Sequence, residues 1–181
     1  ILATFAGDPI YQSASDTATL TVEPAPLSGI VLSLGPNPIA AGSGTTATVI
    51  GSNGVDLSTA CTYSIAYGAG GSWAANVYTS ANAGTWTVSA SYGGFAATAS
   101  LTVTHGAVAS VQISPASSTI TTAGAQTYTV TARDACGNTW TPTLADDDWT
   151  IGPGLSGAFD GANTFTPAAA GQGDVHCEVE G

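Results

Sequence analysis

The densest charge in the chain is Asp146-Asp147-Asp148. Carboxylates crowded in this way, with Asp134 as a further oxygen donor, are the raw material of a calcium site. Calcium also needs a loop that brings several oxygens onto one point, and neither EF-hand spacing nor a repeat-type calcium motif is present. The triplet therefore reads first as a solvated turn or edge that keeps sheets from sticking to one another. No cofactor is expected beyond this weak calcium candidate. The other reactive side chains are scattered. His105 and His176 lack the further ligands that a metal would need. Cys61 has neither histidine near it in sequence, so it reads as a buried thiol rather than a nucleophile. Glu178 and Glu180 share a strand face, yet nothing sets one apart as the proton donor of a carboxylate pair. No nucleophile-elbow motif surrounds a serine. An enzyme is not expected.

Charge narrows the partners. The 181 residues hold one Lys or Arg, Arg133, against 12 acidic residues, for a net charge of −11. A nucleic-acid binder needs a basic footprint to neutralise phosphates. An anionic membrane surface would repel this chain. No apolar run reaches the length of a membrane-spanning helix, so membrane insertion is not expected. The start Ile1-Leu2-Ala3-Thr4 has neither a basic leader nor an initiator methionine, so the sequence reads as a mature or excerpted segment.

The elements that must position these residues are strands. Hydrophobic residues make up 44% of the chain and charged ones 7%, which is too apolar and too uncharged for disorder. The apolar residues are interleaved with Thr and Ser, a mixture that suits pleated sheets better than helices. Twenty-three Gly and nine Pro supply the turns. Short alternating runs with a turn signal every 8–12 residues or about that predict a β-sandwich or barrel. Trp73, Trp86, Trp140 and Trp149 are the large anchors for its cores.

The runs recur. Val88-Ser89-Ala90-Ser91-Tyr92-Gly93-Gly94 matches Ile1-Leu2-Ala3-Thr4-Phe5-Ala6-Gly7, and Val175-His176-Cys177-Glu178-Val179-Glu180-Gly181 fits the same frame without the aromatic. Asp16-Thr17-Ala18-Thr19-Leu20-Thr21-Val22 matches Ala97-Thr98-Ala99-Ser100-Leu101-Thr102-Val103. Ile30-Val31-Leu32-Ser33-Leu34 matches Ser110-Val111-Gln112-Ile113-Ser114, and each leads through a Pro turn to a Thr-rich strand, at residues 45–50 and 126–132. Three units are expected. Residues 1–23 are a partial repeat holding the last two strands, 27–104 a complete repeat, and 107–181 a repeat without its final Leu-Thr-Val strand. Glu23-Pro24-Ala25-Pro26 and Thr104-His105-Gly106 are short linkers, and stiff ones would stand the units end to end.

Each unit resembles the bacterial immunoglobulin-like domains found in tandem on prokaryotic surface proteins. The opening Val-x-(Ile/Leu)-Ser strand, the Ala-Gly before the Thr-rich strand and the closing Leu-Thr-Val strand carry the resemblance. Tyr128-Thr129-Val130-Thr131-Ala132-Arg133-Asp134-Ala135-Cys136-Gly137-Asn138 looks like that family's second strand and following turn. The resemblance implies tandem immunoglobulin-like β-sandwiches, an extracellular or cell-surface location, and service as stalks, adhesin spacers or filament subunits. One fold hosts many roles, however.

Two consequences of the repeat frame concern assembly. Cys136 and Cys177 fall in one repeat, and an oxidising compartment would make them the natural disulfide pair. The unmatched strand has two explanations. The chain is an excerpt of a longer array, or Asp16, Thr17, Ala18, Thr19, Leu20, Thr21 and Val22 of one copy complete residues 107–181 of the next by strand addition, head to tail. An adhesin or carbohydrate-binding module is the alternative, with Trp73, Tyr78, Phe159 and Phe165 as candidate platform residues and core packing as the competing reading. Accessory repeats of a large secreted enzyme are another. Thr119, Thr121 and Thr122 lie in a hydroxyl-rich stretch that could carry surface glycan.

Overall fold

Alternation dictates the elements of this all-β chain. A computed structural model describes residues 1–7, 9–10, 14–23 and 25–179. Pro24 of the first expected linker, and Glu180 and Gly181 at the end of the last expected strand, lie outside the described residues. Strands β1 (Leu2–Phe5) and β2 (Ala14–Thr17) form an antiparallel pair, with Ala3 opposite Asp16 and Leu2 opposite Thr17. The strand expected over residues 16–22 is shorter than its sequence pattern. Ala18 still exchanges hydrogen bonds with Ile1, at 3.0 and 2.8 Å. Beyond it, among the described residues, nothing pairs with residues 19–22, and Leu20 and Val22 are 67% and 82% exposed. A period-two pattern makes a strand only where a neighbouring backbone accepts its hydrogen bonds.

The next stretch contains β3 (Ile30–Gly35), β4 (Ile39–Ala40), β5 (Gly44–Gly51), β6 (Thr62–Ile65), β7 (Ser72–Ala74), β8 (Val77–Thr79), β9 (Gly84–Tyr92) and β10 (Phe95–Thr104). They make two four-stranded sheets, ordered β3-β5-β8-β7 and β4-β10-β9-β6. In β5, Thr45, Ala47 and Val49 are buried while Thr46, Thr48 and Ile50 turn outward, as the pleat requires. In β10, Leu101 and Val103 are buried and Ser100 and Thr102 exposed. Both sheets bury their inward rows in one cluster built on Leu32, Val49, Tyr78, Val88 and Leu101. Each such side chain contributes about 1.5–3 kcal/mol by leaving water. The β9–β10 hairpin turns on Gly93 and Gly94, between paired Tyr92 and Phe95. Both glycines have positive φ, +57° and +86°, the backbone that a two-residue hairpin turn demands.

After residue 107 come β11 (Val108–Ser114), β12 (Gln126–Thr127), β13 (Thr129–Asp134), β14 (Thr139–Trp140), β15 (Trp149–Ile151), β16 (Gly157–Asp160), β17 (Thr164–Pro167) and β18 (Val175–Cys177). Their sheets are β11-β13-β14, β12-β17-β16 and β15-β18. The strand expected over 126–132 is divided at Tyr128, whose N–H bonds Asn163 O, so that β12 pairs with β17 while β13 pairs with β11 and β14. A second cluster forms on Tyr128, Val130, Trp149 and Phe165. Trp149 stacks on Phe159 with ring centroids 4.4 Å apart.

Pairing registers recur between the two halves. Leu32 opposes Val49 as Ile113 opposes Val130. Trp73 opposes Tyr78 as Phe159 opposes Phe165. Ile65 opposes Val88 as Ile151 opposes Val175.

Candidate functional site

The most elaborate polar arrangement lies where the chain passes from the first cluster to the second. Tyr128, Val130, Ala132 and Asp134 share the inward phase around β13, so the alternation that buries three apolar side chains also buries a carboxylate. Asp134 is 3% exposed. Its Oδ2 accepts from Gly106 N–H and from Asn138 Nδ2, each at 2.8 Å, and its Oδ1 accepts from Asn138 N–H at 2.9 Å. Asn138 then reaches the other cluster's loops. Its Nδ2 donates to Ala81 O and its Oδ1 accepts from Ala83 N–H, both at 2.9 Å. The Asp134–Asn138 pair thus holds Gly106 on one side and the turn before β9 on the other. Gly106 leaves little room, since a Cβ there would meet Ala41 O at 3.0 Å. His105 stacks on Trp140 at 4.3 Å and closes the outer side of the junction. The short segment read as a linker is therefore held by side chains of the second half, Asp134 at Gly106 and Trp140 at His105, and by the Ala41 backbone at Thr104.

Burial alone would raise the Asp134 carboxyl, but the hydrogen bonds from the Asn138 side chain and from the N–H groups of Gly106, Asn138 and Cys136 outweigh it. The net pKa lies below the ordinary 3.8. A depressed carboxylate stabilises the fold above its unfolded pKa, and that stabilisation is lost as pH falls through the folded value. The junction should therefore hold from about pH 7 to about pH 5 and weaken only below the ordinary carboxylate range. Denaturant titrations across that series, with Asp134→Ala as the reference, check it. The difference between the two proteins should stay flat through mild acid and shrink in strong acid.

No protein-family model matches the chain, and neither does any curated protein.

The remaining sequence candidates are dispersed. The structure does not form the expected Cys136–Cys177 bridge, and all three thiols are free. Cys136 is exposed in the turn after β13, and its sulfur lies 3.5 Å from where a Cβ on Gly42 would stand. Cys177 instead sits opposite Trp149 and packs against the second cluster. Burial pushes the Cys61 thiol up, and burial with Asp148 and Glu178 nearby does the same for Cys177, so neither is biased toward thiolate. Asp146–Asp148 forms a single turn of 3-10 helix, and the Asp148 carboxylate is engaged by Ala145 N–H at 2.7 Å. Asp134 is committed to the junction. Among the described residues no three His, Cys, Asp or Glu side chains converge as a metal set, so the calcium candidate does not assemble.

His176 and Glu178 are exposed. Tyr78 and Phe165 are buried, with Trp73 and Phe159 packed against the same two clusters, so these aromatics form cores rather than a platform. The sequence reading missed Asn138, which is ordinary as a turn residue and became informative only through its contacts.

Proposed function

We propose that this chain is a structural element of an extracellular cell-surface stalk or filament, without catalytic activity. It would be built from tandem immunoglobulin-like β-sandwich repeats like those of bacterial surface proteins and joined head to tail to other copies by strand complementation. The observation that carries the reading is the junction. Five hydrogen bonds run through Asp134 and Asn138 and tie Gly106, Ala81 and Ala83 together, and a spacer gains from a fixed angle between consecutive repeats in a way that a tethered binding module does not. The recurring registers support equivalence of the repeats. The outward rows of Thr and Ser and the near absence of basic residues suit a surface that meets neither nucleic acid nor anionic lipid.

Small-angle scattering of the intact chain in dilute solution tests the reading. A single elongated shape, with one well-defined maximum dimension and the same profile at low and physiological salt, is expected. A spread of inter-repeat angles would defeat it.

A further inference from the structure

In the first half of the molecule β10 fills a slot between two neighbours. It runs antiparallel to β9, with Ala99 opposite Val88, Leu101 opposite Trp86 and Val103 opposite Gly84, and parallel to β4, with Val103 beside Ile39. Leu101 is fully buried there and Val103 is 3% exposed. The second half reproduces both walls of that slot. Val175 opposes Ile151 as Val88 opposes Ile65, so β18 stands where β9 does. Ile120 precedes Gln126 by the same interval that separates Ile39 from Thr45, and Gln126 and Thr45 pair with Phe165 and Tyr78 at matching places. Among the described residues β18 pairs with β15 alone, and the slot is an open groove of about 820 Å³. Its floor includes Ile113, Ile120, Tyr128, Leu155, Phe165 and Val175.

The same chain carries a segment with the side chains that such a slot takes. Ala18-Thr19-Leu20-Thr21-Val22 repeats Ala99-Ser100-Leu101-Thr102-Val103, and Leu20 and Val22 are exposed where Leu101 and Val103 are buried. Ala18 even meets Ile1 as Ala99 meets Val88. We infer that residues 18–22 of one copy occupy the groove of a second copy, antiparallel to β18 and parallel to residues 119–122. Ala18 then lies opposite Val175, Leu20 opposite Gly173, and Val22 opposite Gly171 and beside Ile120.

Asp16 takes the half-buried place of Ala97, at the rim. β18 claims the edge of β2 that β1 holds, so the β1–β2 hairpin must open. The exchange trades one antiparallel neighbour for another and adds burial of two apolar side chains, while two short paired strands are marginal alone. Donor and groove lie on different surfaces, so the contact is heterologous and repeats without closing.

This inference rests on the repeat reading above but has its own test. A fluorescent peptide of residues 14–23 is titrated into the intact chain while light scattering follows its mass over a concentration series. Saturable binding, new amide protection at residues 175–177, and concentration-dependent oligomers that excess peptide dissolves are expected. Leu20→Asp with Val22→Asp should weaken the peptide at least ~30-fold and leave the chain a monomer, since two exposed side chains are changed and no core is touched. Absence of peptide binding overturns the inference. So does a monomer that excludes peptide until Leu20 and Val22 are replaced, because the segment would then close on its own copy. Either failure leaves the scattering test of the rigid junction unaffected.

Discussion

Trp149→Ala is expected to unfold residues 107–179 while residues 27–104 remain folded. Trp149 is 6% exposed, stacks on Phe159, tilts against Tyr128 at 5.8 Å, and donates from Nε1 to Asn163 Oδ1 at 3.1 Å. Removing the ring from a small aromatic cluster leaves a cavity and strips two neighbours of their contacts, a loss of about 3–5 kcal/mol. That is a large part of the stability of a unit this size. No residue of the second cluster belongs to the first, so the damage should stay local. Calorimetry should resolve two transitions in the parent protein and lose or steeply lower one of them in the variant. Trp149→Phe keeps the stacking and forfeits the Nε1 hydrogen bond, for a cost of about 1 kcal/mol. If both transitions fell together, the two clusters would be a single cooperative unit.

Asp134→Ala should act chiefly on the junction. The substitution leaves Gly106 N–H and Asn138 Nδ2 without their acceptor and frees the Asn138 side chain, through which Ala81 and Ala83 are held. Hydrogen bonds to a charged acceptor are worth about 1.5–3 kcal/mol, and those sharing a carboxylate do not add independently, so a loss of about 3 kcal/mol is expected. The scattering curve should broaden from one elongated shape to a range of angles, and the Trp140 fluorescence should change as the His105 stack loosens. Asp134→Asn should rescue little. Oδ2 receives two donors, and an amide placed there offers them either nitrogen or an oxygen taken from the other donor. An unchanged scattering curve would remove the carboxylate from any role in fixing the angle.

Strand content was legible because inward and outward positions alternate so plainly, as in Thr45–Val49 and Leu101–Val103. Core packing of Trp73, Tyr78, Phe159 and Phe165 was also legible, as the competing reading to a binding platform. Assembly details were not. Nothing in the local sequence of Cys136 and Cys177 says that one faces Gly42 while the other lies opposite Trp149, because the first depends on how consecutive units meet and the second on how distant strands of one unit pair. Asp134 drew attention as a possible oxygen ligand, whereas its inward phase was the better signal. A carboxylate in the buried register needs donors, and here they come from a turn and a glycine that only the tertiary fold brings near. The Leu-Thr-Val motif at residues 20–22 shows another limit, since the strand pattern is present while the copy described holds no partner strand for it.

The parallel contact between β4 and β10 has a mechanical meaning. The chain enters this unit through β3, paired with β5, runs on into β4 and leaves from the end of β10, where Val103 and Thr104 lie beside Ile39 and Ala40 and Ala41 N–H bonds Thr104 O at 2.9 Å. Once β3 has come away from β5, pulling the unit by its two ends drags β4 and β10 past each other lengthwise. The bonds are loaded in shear and must yield together, whereas a hairpin pulled open at its tips would surrender them one at a time.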